Sequence, residues 1–280
     1  KLYLKIFEEM PGWALKTLLP KLLKNGWYFL HSRKKNGFFQ FIGFDYACHR
    51  EVGYLYNKTA LPSHLSPLVS IVIRTCEGRK EFLKEALQSV FNQTYRNLQV
   101  IVVEDGSHTA EALVTHYRNL NLLPQVDYFS IPKSGRSACG NKGLSEAKGK
   151  YINFLDDDDL LYADHVEVLV NRFMADKKNK YGAVYATAFQ VETQIESYEP
   201  LIYSEYTYTK IHEKEFSLPE LIWSNYLPIQ TVLFERSLFE SCKGMDETLD
   251  VFEDWDLWLR FALKKPFCLV KKITSLYRVP

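Results

Sequence analysis

Apolar residues follow two rhythms along this chain. From Leu68 onward, unbroken aliphatic runs alternate with stretches whose apolar positions recur every three to four residues. "LVSIVIR" (68–74) is continuous and β-branched, as a parallel strand buried on both faces requires. "RKEFLKEALQSVFNQ" (79–93) sets Phe82, Leu83, Ala86, Leu87 and Val90 on one helical stripe. "LQVIVVEDGS" (98–107) repeats the strand pattern and ends in acids and glycine. A helix at about 109–120, a short strand over 126–131 and a helix over 137–148 come next, the last weakened by two glycines. "YINFLDDDD" reads as a strand and "LYADHVEVLVNRFMAD" (161–176) as a helix. This alternation predicts an α/β domain, a Rossmann-like, mostly parallel sheet flanked by helices. Residues 182–234 look richer in β-structure, with a Tyr-rich hairpin near 198–209 and a strand in "IQTVLFE". A helix over 253–265 and a strand over 267–274 close the chain, and no internal repeat is visible.

Residues 1–66 lack this alternation. Aromatic residues mix there with Lys and Arg, and "WALKTLLPKLLKNGWYFL" reads as short helices broken by Pro20 and Gly26. "LPSHLSP" (61–67) looks like a linker, so the chain divides into a helical N-terminal extension (1–66) and a main domain (67–280). The extension suits either a cap packed on the main domain or an element docking on a membrane surface or partner. It lacks a long amphipathic face, which favours the cap.

Composition narrows the partners. The 280 residues are 46% apolar and 25% charged, enough to bury a full core, and a net charge of +1 argues against a nucleic-acid binder. No run of 18 apolar residues is present, so no membrane-spanning helix is expected. The first residue is Lys1 rather than Met, which suits a piece of a longer protein. Five scattered cysteines without a C-x-x-C pair read as buried thiols in a reducing compartment.

The candidate chemistry lies where the strands end. Ligands of open α/β sheets bind beyond the carboxyl ends of the strands. Glu104–Asp105 and Asp156–Asp159 both fall there. Neighbouring carboxylates about 6 Å apart repel by about 0.7 kcal/mol in water and about 3 kcal/mol at an effective dielectric of 20. Capping of the following helix by Asp158 or Asp159 accounts for one or two of the four acids. A divalent cation shared with a phosphate would relieve the repulsion of the whole cluster. No calcium-hand spacing, glycine-rich phosphate loop, H-E-x-x-H or G-x-S-x-G is present. His108, His116, His165 and His212 show no metal spacing.

Three stretches, taken in order, resemble the inverting family 2 glycosyltransferases of the GT-A fold. They are "VSIVIRTCEGRKEFLKEALQSVFNQTYRNLQVIVVEDGS", "GRSACGNKGLSEAKGKYINFLDDDD" and "FEDWDLWLRFA", and the likeness covers about residues 67–280. The resemblance implies transfer of a sugar from a nucleotide-diphosphate sugar, a UDP-sugar in the favoured case, to a hydroxyl of a glycan or lipid-linked acceptor. It also implies a cytoplasmic enzyme that makes a bacterial cell-surface polysaccharide or glycan, with room for peripheral association at the inner face of the membrane. Base and ribose would be held by Thr75, Glu104 and Asp105 with Arg79 nearby, and Asp156 and Asp157 would also serve the donor. Asp158 would be the direct ligand of Mn²⁺ or Mg²⁺. Asp254, with Glu253 beside it, would be the catalytic base, and Trp255 would touch a sugar face. One feature departs from the family. Gly140–Asn141 stands where many members have Arg-Asn, leaving Arg136 to supply the positive charge and Asn141 as the remaining donor contact. Many members carry a His a few residues beyond "YR", and the sequence stops at "LYRVP", short of that position. Two other readings stay open, a non-catalytic nucleotide-sugar-binding scaffold and a metal-dependent nucleotidyltransferase; "RTCEGRK" is a poor match to the loop that the latter needs.

Overall fold

The two-sided burial expected of the strands organises the domain. In a computed structural model, which describes residues 29–32, 39–42, 66–119, 126–198 and 201–279, β3 (Val69–Cys76) and β4 (Leu98–Asp105) are buried almost throughout. Alternate side chains serve opposite layers, as the period of two dictates. Val69, Ile71 and Ile73 pack with α1 (Lys80–Phe91) and α4 (His165–Ala175). Val72 instead joins Ile101, Val103 and Phe154 against α3 (Arg136–Glu146) and α7 (Glu253–Ala262). The result is a three-layer sandwich with the sheet in the middle.

With β5 (Val126–Ile131), β6 (Tyr151–Asp156), β7 (Leu160–Leu161), β8 (Ala183–Tyr198), β10 (Val232–Glu235) and β11 (Phe267–Val279), the strand order is β5-β4-β3-β6-β10-β8-β11-β7. β9 (Leu201–His212) pairs with β8 off this path. Strands β5, β4, β3, β6, β8 and β11 share one direction, while β10 and β7 oppose it. The sheet is therefore mostly parallel, as expected. The parallel block ends with Thr75–Cys76, Glu104–Asp105 and Asp156 along one edge, and in register. Helix α2 (Glu111–Asn119) completes the first layer, and α5 (Leu218–Trp223) and α6 (Arg236–Cys242) lie between the later strands in sequence.

Three details depart from the sequence reading. The helix expected from 161 starts at His165, because Leu160–Leu161 pairs with Ser275–Leu276 of β11. Capping of that helix by Asp158 or Asp159 is thereby excluded: its N-cap is Asp164, whose side chain makes no cap hydrogen bond. The hairpin is longer than expected, with strands of 16 and 12 residues. Most of the extension, and with it the helical reading of 1–66, lies outside the described residues. Within it, β1 (Phe29–Ser32) and β2 (Phe39–Ile42) form an antiparallel pair, so Phe29 and Leu30 are strand where a helix was expected. No helix among the described residues is long and apolar enough to cross a membrane.

The glycines that weaken α3 on paper set its distance from the sheet. A Cβ on Gly143 would lie 2.1 Å from Val72 Cγ1, and one on Gly140 would lie 2.4 Å from Met245 Sδ. Met245 is flexible and can move, whereas Val72 is held in the central strand. Gly143→Ala is expected to lower stability by about 1–3 kcal/mol through overpacking. The measurement is the urea midpoint; an unchanged midpoint would mean that α3 shifts without cost.

Candidate active site

The aspartate cluster is paired with arginines. Arg74, only 5% exposed, donates from Nε to Asp156 Oδ1 at 2.7 Å and from Nη2 to Asp156 Oδ2 at 2.9 Å. Its remaining nitrogen, Nη1, donates to Glu253 Oε1 at 2.9 Å; Glu253 is the first residue of α7 and is 2% exposed. Burial opposes the Arg74 charge, but Asp156 and Glu253 outweigh it and raise the pKa further. Arg79 donates to Asp157 Oδ1 at 2.7 Å and to Asp158 Oδ2 at 2.6 Å. Thr75 Oγ1 donates to Asp157 Oδ2 at 2.7 Å. Arg278 gives its backbone N–H to Asp159 Oδ1 and its guanidinium to the Asp158 carbonyl, both at 2.9 Å. Burial, and after it the neighbouring carboxylates, holds Asp159 well above the ordinary range.

These contacts change the account of the four acids. Arg74 and Arg79 pair with Asp156, Asp157 and Asp158 and offset part of their mutual repulsion, while burial still raises Asp157 to about 7; the Arg278 guanidinium is paired with Glu85. Each Asp156 and Asp157 oxygen already accepts a hydrogen bond. Asp158 differs: its side chain is 35% exposed, and its Oδ1 accepts no hydrogen bond among the described residues. Among those residues no group of three His, Cys, Asp or Glu side chains could hold a metal alone. The donor set that remains is one carboxylate facing a cleft, which fits Mg²⁺ or Mn²⁺ completed by phosphate oxygens and water.

That cleft has a volume of about 310 Å³ and includes Arg74, Thr75, Arg79, Asp105, Arg136 and Asp156–Asp158 in its lining. Asp105 accepts from the Ser134 and Gly135 amides at 2.6 and 3.2 Å and lies 3.3 Å from Lys133 Nζ. Burial pushes Asp105 up, but those partners outweigh it and hold it below the usual carboxylate value. Arg136, 54% exposed, lines the cleft and approaches Glu253 to only 3.7 Å.

Glu104 and Asn141 are placed elsewhere. Glu104 is fully buried and spends both oxygens on the Thr109 and Ala110 amides, the Thr109 hydroxyl and the Tyr128 hydroxyl. It organises the loop before α2. Asn141 bonds Met245 in both directions and reaches Glu247, tying α3 to the turn around Gly244. Neither residue lines the cleft.

Asp254 stands in the first turn of α7, half-buried. Asn225 Nδ2 donates to its Oδ2 at 3.0 Å, and the Trp255 amide donates to its Oδ1 at 2.8 Å. Burial first, then the adjacent Glu253 charge, raises its pKa. The hydroxyl of Tyr277 on β11 is pushed up to about 12 by burial and then by the charges of Asp159, Asp254, Asp156 and Asp158. Trp255 donates from Nε1 to the Leu221 carbonyl at 2.6 Å and meets the Phe252 ring edge-on at 5.8 Å. Its indole is packed between α7 and α5, while Trp258 and Phe261 are fully buried in the core.

Arg74, Arg278 and Asn225 are missing from the sequence reading. Arg74 did leave a signal, a charge inside a run otherwise buried on both faces, where an unpaired arginine is rarely tolerated. Arg278 and Asn225 left none, because their partners lie 120 and 29 residues away.

Comparison with known proteins gives the following matches. Residues 70–233 fit the family model described as Glycosyl transferase family 2. An uncharacterized glycosyltransferase of Rickettsia typhi is 29% identical over 196 residues, covering 70% of this chain and 59% of the relative. A hyaluronan synthase of Pasteurella multocida is 30% identical over 230 residues, covering 80% of this chain and 22% of the synthase. The chain thus spans less than two thirds of the length of these relatives. In shape it matches residues 1–349 of S. aureus TarS solved with UDP, at a TM-score of 0.59 and 17% identity, over 75% of this chain and 60% of that one. It also matches the mannosyltransferase PcManGT of Pyrobaculum calidifontis, solved with GDP-Man and Mn²⁺, at a TM-score of 0.56 and 17% identity, over 84% and 66%. The fold is therefore that of the GT-A glycosyltransferases.

Proposed function

The chain belongs to glycosyl transferase family 2, and from that premise we propose that it moves a sugar, with inversion, from a nucleoside-diphosphate sugar to an acceptor hydroxyl. One observation carries the reading. A single buried guanidinium, that of Arg74, bonds both Asp156 on the donor side and Glu253, the neighbour of the candidate base. Donor cleft and base are thereby held at a fixed separation.

The residues divide the reaction as follows. Asp105 and Thr75, which line the cleft, would hold the nucleoside, and Arg136 and Arg79, also in its lining, would offer positive charge to the diphosphate. Asp158 would hold Mn²⁺ or Mg²⁺, which when bound offsets the charge that grows on the departing diphosphate. Asp254 takes the proton of the acceptor hydroxyl as that oxygen forms its bond to the anomeric carbon. The bond from the anomeric carbon to the diphosphate oxygen breaks on the opposite side, and the configuration inverts. Asn225 orients the carboxylate, and its partial burial keeps Asp254 basic. UDP is the favoured nucleotide, since TarS is solved with UDP and UDP-GlcNAc. Assembly of a bacterial cell-surface glycan on a glycan or lipid-linked acceptor, at the cytoplasmic face of the membrane, is the setting that fits a likeness to hyaluronan and chondroitin synthases.

Calorimetry with UDP tests the metal role. Mn²⁺ is expected to tighten UDP binding at least ten-fold in the parent protein and less than two-fold in Asp158→Ala. Equal UDP affinity with and without Mn²⁺ or Mg²⁺ would remove Asp158 from the metal. Binding of nucleotide sugars without acceptor-dependent release of diphosphate would favour the non-catalytic reading.

A further inference from the structure

Beside Asp254 the chain exposes side chains that a monomeric core would bury. Trp223, at the end of α5, is 85% exposed, and Ile222 before it is also exposed. Phe252, the N-cap of α7, is 61% exposed, with exposed Val251 next to it. The two segments are joined: Trp255 touches the Phe252 ring and donates to the Leu221 carbonyl, and Asn225, two residues after Trp223, holds Asp254.

The backbone gives a second, independent sign. Phe252 has φ 67° and ψ 18°, a left-handed conformation that is strained for a bulky residue. Such strain persists where the surrounding structure imposes it, and it clusters at functional sites. Here it projects an aromatic ring into solvent immediately before Glu253–Asp254.

Charge selects the occupant. Residues 214–229 and 243–260 contain eight acids (Glu215, Glu220, Asp246, Glu247, Asp250, Glu253, Asp254, Asp256) against three bases (Lys214, Lys243, Arg260), two of which pair with Glu220 and Asp256, so the balance is acidic. An anionic bilayer attracts basic segments, so this face repels one. A phosphate group on the bound ring is disfavoured for the same reason. An uncharged sugar fits: its C–H face packs on an aromatic ring, and its hydroxyls point to carboxylate and amide acceptors.

Resting on the glycosyltransferase reading above, we propose that Phe252 and Trp223 form an acceptor platform. On it an uncharged sugar ring stacks, with its hydroxyl presented to Asp254. The occupant is the terminal residue of a glycan acceptor, not a lipid headgroup and not a second copy of this chain.

The test uses Trp223→Ala combined with Phe252→Gly. Glycine adopts φ 67° without strain and Trp223 is exposed, so the double variant is expected to keep its melting temperature. Saturation-transfer NMR is run with UDP present, using tetramers of β-linked N-acetylglucosamine, glucose and galactose and of α-linked mannose. At least one tetramer is expected to receive transfer from aromatic protons in the parent and to lose it in the variant, while UDP affinity stays within two-fold. Transfer to none of the tetramers in the parent, or equal transfer in the variant, overturns the platform. So does sedimentation with phosphatidylglycerol vesicles, or dimerisation by ultracentrifugation, that the double substitution abolishes. Failure of both UDP and GDP to bind the parent would sink the glycosyltransferase reading; nucleotide binding without sugar contact sinks only the platform.

Discussion

Asp254→Asn is expected to bind UDP within about two-fold of the parent and to transfer sugar about 10²–10⁴-fold more slowly, the range over which a positioned general base contributes. The substitution is nearly isosteric. Its single amide oxygen can accept from Asn225 or from the Trp255 amide but not both, so the melting temperature is measured alongside the rate to separate loss of the proton acceptor from loss of one hydrogen bond. The pH profile of the parent gives a second reading of the same group. Burial and the Glu253 charge raise the Asp254 pKa, so the ionised, active form is present above that raised value. Activity is lost as pH falls through it. The acid limb of kcat/KM should therefore lie above the ordinary aspartate range. Glu253→Gln should move the limb down, because a repelling charge disappears, although Arg74 then loses a partner. Acceptor-dependent UDP release, measured from pH 4 to 9, checks both; a parent rate in Asp254→Asn would end the assignment. Asp254 is the better candidate of the two, because Glu253 is buried and its Oε1 is bonded to Arg74.

The parallel half of the fold was legible because each signal there is local. The unbroken run at 68–74 became β3, and the stripe of Phe82, Leu83, Ala86, Leu87 and Val90 is the buried face of α1. Helix starts were less legible: Leu160–Leu161 has helical neighbours in sequence, yet its partner strand lies more than 110 residues away. The acid cluster was visible, but not its compensation. Four aspartates in a row announce a charge problem, and a cation is the solution that can be inferred from a short segment. Arg74 and Arg79, from β3 and the turn after it, relieve part of it by pairing with Asp156, Asp157 and Asp158, so the repulsion by itself is weak evidence for a metal. What still points to a metal is narrower, the one Asp158 oxygen that accepts no hydrogen bond among the described residues. Glu104 shows the converse. An acid at a strand end resembles a ligand in sequence, whereas here it completes the hydrogen bonding of the next loop.

The second large effect is expected at Arg74. Its three donor nitrogens serve two carboxylates on different elements, Asp156 at the end of β6 and Glu253 at the start of α7, and no other residue type reproduces that fork. Arg74→Met would leave Glu253 buried beside an apolar side chain, with Arg136 at 3.7 Å as its nearest remaining cation. Removing one partner of a buried pair costs about 3–5 kcal/mol, since the other charge stays uncompensated. The urea midpoint should fall accordingly with little change in slope. Arg74→Lys restores one point charge and should recover part of the stability, but it cannot bond Asp156 and Glu253 together. UDP affinity and transfer should both remain depressed in a protein that folds. A double-mutant cycle separates these effects. Glu253→Gln in the Arg74→Met background removes the stranded charge, so the double variant should be more stable than Arg74→Met alone, with a coupling of about 1–3 kcal/mol. Additive losses would mean that Arg74 and Glu253 act independently, and the link between donor cleft and base would then have to be sought in the packing of α3 and α7.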